Sequence, residues 1–373
     1  MTPLLESLFS VCEEFGASDM HLATGNPPRF RIRGQLVEKG DFRAFDMKTV
    51  DALVMELGLF TLPIGCADGT ERVRLTLERE GAIDGALTSP SGSRYRFNLY
   101  RSSGRHALAL RRLDGEFRSF EELGLPERLK AFGDEHEGLV VVTGPTGSGK
   151  STTLATMIEY INHRRAGHII TIEDPIEFVH RSDLCLVHQR EVGRDTKSFN
   201  DALVESLRQD PDVILVGEVR DLATVRTALR AAETGHLVFT TLHAADAPGA
   251  IERLVSVFPA DEQASVRHQL ALCLRGVFAQ HLLADVAGNG RHPAYELLVN
   301  TPAAANLIAT GRSAQLYSTI ETGGAYGMCT LDQSLYRLWS EGKIEPRAAM
   351  ARSKNPDVLR ARFAAAAAKG ARE

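Results

Sequence analysis

The stretch Thr143-Gly-Pro-Thr-Gly-Ser-Gly-Lys-Ser-Thr-Thr153 decides the fold of this chain. Gly144, Gly149, Lys150 and Ser151 fill the spacing G-x-x-x-x-G-K-[ST] of a phosphate-binding loop. Glycines let the backbone turn tightly enough for successive N–H groups to converge on one cluster of phosphate oxygens. Lys150 is spaced to reach the β- and γ-phosphates, and the Ser151 hydroxyl to ligate Mg²⁺. The flanks agree with this reading. Gly138-Leu-Val-Val-Val142 is a β-branched run, and Thr153-Leu-Ala-Thr-Met-Ile-Glu-Tyr-Ile161 is a good helix whose positive end would face the same phosphates. Gly144, Pro145, Thr146, Gly147, Ser148, Gly149, Lys150, Ser151 and Thr152 are therefore the expected ATP-binding residues.

Downstream, strands at 139–143, 167–173, 213–216 and 236–241 alternate with helices reaching about 162 and at 199–209 and 222–233. That rhythm predicts a parallel sheet with helices on both faces. The tail beyond Pro259 reads as mainly helical, and the alanine run at 364–368 as a helix end or a frayed tail. Upstream, 3–15 has helical spacing of apolar residues, and 16–22 is a turn into a strand. Residues 29–33 alternate as a strand ending at a turn at 34–35, and Asp46 caps a helix to 57. Residues 72–77, 94–100 and 107–111 also alternate and are read as strands, making an α+β module with an antiparallel sheet. The polar, glycine-bearing stretch 113–118 reads as a linker, giving domains at 1–112 and 119–373.

Composition narrows the function classes. The 373 residues suit two or three domains, and 43 % hydrophobic residues suffice for ordinary cores. A net charge of −5 argues against a nucleic-acid protein by bulk charge. The five cysteines Cys12, Cys66, Cys185, Cys273 and Cys329 form no C-x-x-C, so reduced thiols are expected rather than a zinc ribbon or disulfide framework. No apolar run is long enough to span a membrane and no signal peptide is visible, so membrane association is expected only through partners.

Three further stretches carry chemistry. Glu173-Asp174-Pro-Ile-Glu177 packs three carboxylates at a strand exit, an arrangement suited to holding Mg²⁺ through water and activating a nucleophilic water. Asp212-Val-Ile-Leu-Val-Gly-Glu218 is an apolar strand that delivers a carboxylate at its C-terminal end, where ligands gather in doubly wound sheets. His243 stands at the exit of the next strand, where a γ-phosphate sensor belongs. The arginines at 94, 96, 101, 105, 111 and 112 read equally as a nucleic-acid patch, a solvated strand face or donors to ATP, and Arg208 and Arg220 flank the nucleotide strand.

These motifs together resemble the secretion-ATPase superfamily, most closely the type IV pilus retraction ATPases of the PilT/PilU group. The resemblance rests on Gly144-Pro-Thr-Gly-Ser-Gly-Lys-Ser-Thr152, Ile172-Glu-Asp-Pro-Ile-Glu177, Leu215-Val-Gly-Glu-Val-Arg-Asp221 and Thr234-Gly-His-Leu-Val-Phe-Thr-Thr-Leu-His243. It extends through Ala17-Ser-Asp-Met-His-Leu22, Arg94-Tyr-Arg-Phe-Asn98, Gln189-Arg-Glu-Val192, Val257-Phe-Pro-Ala260 and Gly327-Met-Cys-Thr-Leu-Asp-Gln333. It implies an α/β protein with a PAS-like N-terminal α+β domain and a RecA-like ATPase domain with C-terminal helices, assembled as a homo-hexamer. By position it implies Glu177, Glu218 and His243 as catalytic residues, with the choice of general base open between the two glutamates. Ser151, Glu173 and Asp174 would serve Mg²⁺, and Arg96 and Arg111, with Arg208 and Arg220 as further candidates, would approach the phosphates.

The implied partners are an inner-membrane pilus platform protein and a principal retraction ATPase. The implied location is the cytoplasm, peripheral to the inner membrane. A type II secretion or conjugation apparatus and a nucleic-acid translocase are the alternative uses of such a motor. Nucleotide state would couple to ring shape through the linker at 113–118. One departure points to an accessory motor. Where principal retraction ATPases carry Ala-Ile-Arg-Asn-Leu-Ile-Arg-Glu, this chain has Ala303-Ala-Ala-Asn-Leu-Ile-Ala-Thr310, so Ala305, Ala309 and Thr310 replace two arginines and a glutamate.

Overall fold

The computed structural model describes residues 1–62, 68–113, 115–288 and 290–370, with the side chains of 367–370 excluded. Cys66 and Asp114 of the linker lie outside the described residues. The chain forms two compact units. The first holds Met1–Glu116 together with Glu173–Val179 and Gln189–Ser198, and the second holds Phe117–Ile172, His180–His188 and Phe199–Glu373. Two segments read from sequence as part of a continuous second domain thus group with the first unit.

The first unit runs α1 (Pro3–Glu14), β1 (Asp19–Ala23), β2 (Arg29–Ile32), β3 (Gln35–Glu38), α2 (Met47–Gly58), α3 (Gly69–Glu80), β4 (Ala82–Thr88), β5 (Arg94–Ser102) and β6 (Arg105–Arg112). Its strands form an antiparallel sheet of order β3-β2-β1-β6-β5-β4. Strand alternation sends Met20, Leu22, Phe30, Tyr95, Phe97, Leu99, Leu108 and Leu110 into a core with Leu5, Leu8 and Phe9 of α1 and Val50, Leu53, Val54 and Leu57 of α2. The turn expected at 34–35 sits one residue earlier. Arg33 (φ 51°) and Gly34 (φ 83°) both take positive φ, as a two-residue turn between twisted strands requires. The Asp46 cap is present, its carboxylate accepting from Thr49 N at 2.8 Å.

Residues 72–77 are not a strand but the middle of α3. Their alternation also satisfies helical spacing, because Val73 and Leu77 are the buried pair one turn apart while Leu75 is exposed. Arg74 pairs with both Glu71 and Glu78 along the exposed face, and Gly81 (φ 82°) ends the helix. Packing against α2 fixes the assignment, since Gly58 lies directly against the Val73 side chain.

In the second unit α4 (Arg128–Gly133) precedes β7 (Gly138–Thr143), α5 (Lys150–Asn162), β8 (Gly167–Glu173), β9 (Cys185–Glu191), α6 (Phe199–Ser206), β10 (Val213–Val216), α7 (Leu222–Glu233) and β11 (Leu237–Leu242). There follow α8 (Ala247–Ser256), α9 (Gln263–Cys273), β12 (Leu274–Ala284), β13 (Arg291–Val299), α10 (Pro302–Ala309), α11 (Leu316–Thr322), α12 (Leu331–Ser340), α13 (Pro346–Met350) and α14 (Pro356–Gly370). The sheet order is β13-β12-β7-β11-β10-β8-β9. β8, β10, β11, β7 and β12 run parallel, and β7, β10 and β11 are buried along their whole length, as strands covered on both faces must be. The alanine run lies within α14.

The tail beyond Pro259 is mainly helical, as expected, but it also carries two strands that the helical reading did not include. These are β12 and β13, paired antiparallel from Gly276–Val299 to Ala284–Arg291. A continuous apolar run has no period of its own, so helix and buried strand look alike until the neighbours are known. Here β12 finds a place beside β7, and Gly276 admits the Phe132 ring and the Leu298 carbonyl, where a Cβ would collide. The last helices close their own core with Leu331, Leu335, Leu338, Ile344, Leu359 and Phe363.

Candidate active site

The phosphate loop joins β7 to α5 at the centre of the parallel sheet. Gly144 (φ 143°), Gly147 (φ 75°) and Gly149 (φ 90°) hold backbone angles that side chains disfavour. Lys150 Nζ donates to the carbonyls of Gly144 (3.0 Å) and Pro145 (3.1 Å), which holds the amine at the mouth of the loop. Ser151 is exposed at the first turn of α5. Ser148 is 3 % exposed, and its Oγ has no hydrogen-bond partner among the described residues. A buried hydroxyl without a partner is costly.

β10 delivers Glu218 as expected. Gly217 N donates to Ile172 O at 2.8 Å, and Thr241 Oγ1 donates to Gly217 O at 2.5 Å, which fixes the strand exit from both neighbours. Arg220 grips both carboxylate oxygens of Glu218 at 2.6 Å, and His243 Nε2 stands 3.4 Å from Oε1. Burial works to raise the Glu218 pKa, but the Arg220 hydrogen bond and the charges of Arg220, His243 and Lys150 outweigh it and bring it below the ordinary value. Glu218 and His243 thus form one site with the lysine of the phosphate loop in its field.

The segment from His243 to Asp246 is anchored residue by residue. Thr143, immediately before the phosphate loop, exchanges hydrogen bonds with Ala244: Oγ1 donates to its carbonyl at 2.9 Å and accepts from its N–H at 2.8 Å. His281 Nε2 meets Ala245 O at 3.2 Å, and Lys354 Nζ reaches Asp246 Oδ2 at 2.8 Å.

The model of the family described as "Type II/IV secretion system protein" matches residues 96–332. The chain is 44 % identical over 353 residues to the type IV pilus retraction ATPase PilT of Pseudomonas aeruginosa, covering 95 % of this chain and 99 % of that one. This chain belongs to the type II/IV secretion system protein family. Within it the chain is a type IV pilus retraction ATPase. It is also 38 % identical to the pilus ATPase PilU of the same organism, over 95 % of this chain and 90 % of that one. A crystal structure of the pilus retraction motor PilT with bound ADP superposes with a TM-score of 0.83 at 42 % identity, covering 96 % of this chain and 99 % of that one.

Around the motifs that this family shares, the structure distributes the remaining predicted residues unevenly. In the first unit Glu173 accepts from Gln189 Nε2 at 3.2 Å, Asp174 is exposed and Glu177 is half-buried. Arg96 and Arg111 are cross-strand partners on the outer face of the sheet. Arg111 Nε donates to Asp19 at 2.8 Å, and Arg96 lies 3.8 Å from Asp84. Arg208 is exposed at the end of α6.

Sequence reasoning missed the roles of three residues. Arg94, not Arg96, is the half-buried arginine of the hairpin; it donates to Ile176 O at 3.1 Å and meets Glu191 Oε2 at 3.3 Å, tying the carboxylate-rich turn to β5. Glu191, which also accepts from Ile176 N at 3.2 Å, has its pKa raised by burial in spite of that hydrogen bond and the Arg94 charge. Its only signal was its place in Gln189-Arg-Glu-Val192. Gln280 lies under the phosphate loop, and no motif marks it.

Proposed function

We propose that the chain is one subunit of a homo-hexameric, Mg²⁺-dependent ATPase that powers type IV pilus retraction. The observation that carries this reading is the joint placement of Lys150 at the mouth of a glycine-bent loop and of the Glu218–His243 pair at the neighbouring strand exits. Phosphoryl transfer needs positioning and charge stabilisation more than covalent chemistry. Lys150 and the loop N–H groups hold the phosphates. His243, beside Glu218, reads the γ-phosphate. A carboxylate held below its ordinary pKa is a weak proton acceptor, so Glu218 orients charge and Glu177 takes the proton of the attacking water.

The donor set fits Mg²⁺ arriving with the nucleotide. Among the described residues no group of three His, Cys, Asp or Glu side chains could hold a metal, and Mg²⁺ ordinarily combines one or two protein oxygens with waters and substrate phosphates. Ser151 would supply the direct oxygen, and Glu173 and Asp174 would act through water. Held there, the ion would supply positive charge against the phosphate oxygens.

The first unit is read as PAS-like and the second as RecA-like with a helical tail, joined by the linker at 113–118. Arg96, Arg111, Arg208 and Arg220 are the arginines proposed to approach the phosphates. No helix among the described residues is long and apolar enough to cross a membrane. The proposed location is the cytoplasm, with the motor reaching the inner membrane through a pilus platform protein. The net charge of −5 speaks against a nucleic-acid partner. The uncharged face of α10 favours a second, finer reading, an accessory motor working beside a principal retraction ATPase.

Replacing Lys150 by alanine tests the assignment. Phosphate release by the purified variant should fall to background, and undiminished release would overturn it.

A further inference from the structure

The geometry points to Gln280, outside every motif that marks the nucleotide site, as a positioning residue for the phosphate loop. Ala279 pairs with Thr143 in the β12–β7 register, so Gln280 falls alongside Gly144, the first residue of the loop. It is 3 % exposed and makes three contacts there. Its main-chain oxygen sits so close under Gly144 that a Cβ there would overlap it. Its side-chain Oε1 accepts from Thr153 Oγ1 at 2.6 Å, and Thr153 is 1 % exposed on the first turn of α5. Its Nε2 lies 3.0 Å from where a Cβ on Gly149 would stand. One residue therefore fills the space beside the first and last glycines that a side chain there would need, and bonds the helix that begins at the loop.

Most of its neighbours on β12 are apolar, Val277, Phe278, Ala279 and Leu283 being buried, and His281 is the other buried polar side chain of the strand. An amide in such a strand costs free energy unless it is hydrogen-bonded, and Thr153 is its partner across the loop. The sheet itself would be served as well by leucine or methionine, so the phosphate loop is what gives the amide a purpose. Held from below, the loop keeps its N–H groups converged before nucleotide arrives. Without the brace, nucleotide must order the loop on binding, which weakens affinity for ground and transition states alike.

This rests on the nucleotide-binding reading of the loop, which ADP titration of the unaltered protein tests by itself. In the full-length chain, Gln280→Met keeps the side-chain volume and removes the acceptor, Thr153→Val removes the donor, and Thr153→Ser keeps it. Gln280→Met and Thr153→Val should each raise the ADP dissociation constant about tenfold, the effect of stranding a buried polar partner. Thr153→Ser should stay within about threefold, and the double variant Thr153→Val/Gln280→Met should be within about threefold of either single one, because the two act through one contact. Over a full range of ATP concentrations, KM should rise more than kcat falls.

A merely structural pair would lower the melting temperature and leave ADP affinity within about twofold, and that result overturns the proposal. So does a double variant whose loss equals the product of the two single losses. If Gln280→Met does not fold, the serine and valine variants at 153 decide: equal ADP affinity overturns the proposal, and a tenfold gap upholds it.

Discussion

Two glycines of the phosphate loop differ in what they forbid. Gly147 has positive φ but open space around it, whereas at Gly144 a Cβ would also strike the Gln280 carbonyl and Ser148 Oγ. Gly147→Ala should therefore cost about 1–3 kcal/mol of local strain. Gly144→Ala should lose more, and ADP titration of the two variants should show the larger loss of affinity at 144. Glu218 carries a pH prediction. Arg220 favours the ionised carboxylate, so Arg220→Ala should let the Glu218 pKa rise toward its ordinary value. The acid limb of the kcat/KM profile should then move to higher pH; an unmoved limb would show that Glu218 is not the group it reports.

Among the elements, α8 and α9 are joined by a two-pronged pair: Arg267 Nη1 and Nη2 donate to Glu252 Oε1 and Oε2 at 2.9 and 2.7 Å. The Arg267 hydrogen bonds, against some burial, hold the Glu252 pKa below the ordinary value of about 4.3. A depressed carboxyl pKa adds stability above the unfolded value, and that stability is lost as pH falls through the folded one. The Glu252 side chain is partly exposed, so solvent screening discounts the pair, and Glu252→Gln should lower Tm by only about 1–2 degrees at pH 7, roughly the effect of 0.5 kcal/mol. The gap should narrow as pH falls below the ordinary carboxyl range and through the lowered folded-state pKa. α10 shows how a helix tolerates lost charges. Thr301 caps it, Ala304 and Ile308 are its buried residues, and Thr310 is exposed with its hydroxyl on Asn306 O at 2.7 Å. Ala305→Arg/Ala309→Arg/Thr310→Glu should leave ATP hydrolysis intact and, if the accessory reading holds, raise twitching in a strain lacking its principal retraction ATPase. Full twitching from the unaltered protein alone in that strain would refute the accessory reading.

The whole molecule is the unit on which pilus function is scored. Loss of a retraction motor leaves pili that extend and are not withdrawn, so deletion of the gene should give excess surface pili without twitching. Absent pili would mean assembly instead. The proposed hexamer should sediment with ATP at six times the mass of the chain. A chain of net charge −5 should show no salt-sensitive affinity for DNA, and its ATPase rate should not respond to DNA.

The phosphate loop, the strand–helix rhythm around it and the arrival of Glu218 and His243 at neighbouring strand exits were legible in the sequence. Each depends on local spacing: positive φ at particular glycines, a lysine one residue after the last of them, a carboxylate at the end of an apolar run. The fates of residues 72–77 and of β12 were not local. Val73 is helical because Gly58 of α2 lets it approach, and β12 is a strand because β7 offers it an edge. The arginine hairpin shows the same limit: alternation put Arg94 and Arg96 on one face, but only the arrival of Glu191 and the Ile176 carbonyl made Arg94 the half-buried one. Gln280 stands 127 residues from Thr153, and their hydrogen bond exists only once the sheet has set β12 beside β7. Backbone geometry and motif spacing act over a few residues and can be read along the chain. Which polar side chain shares a buried volume with which is decided by sheet order, and that belongs to the tertiary structure.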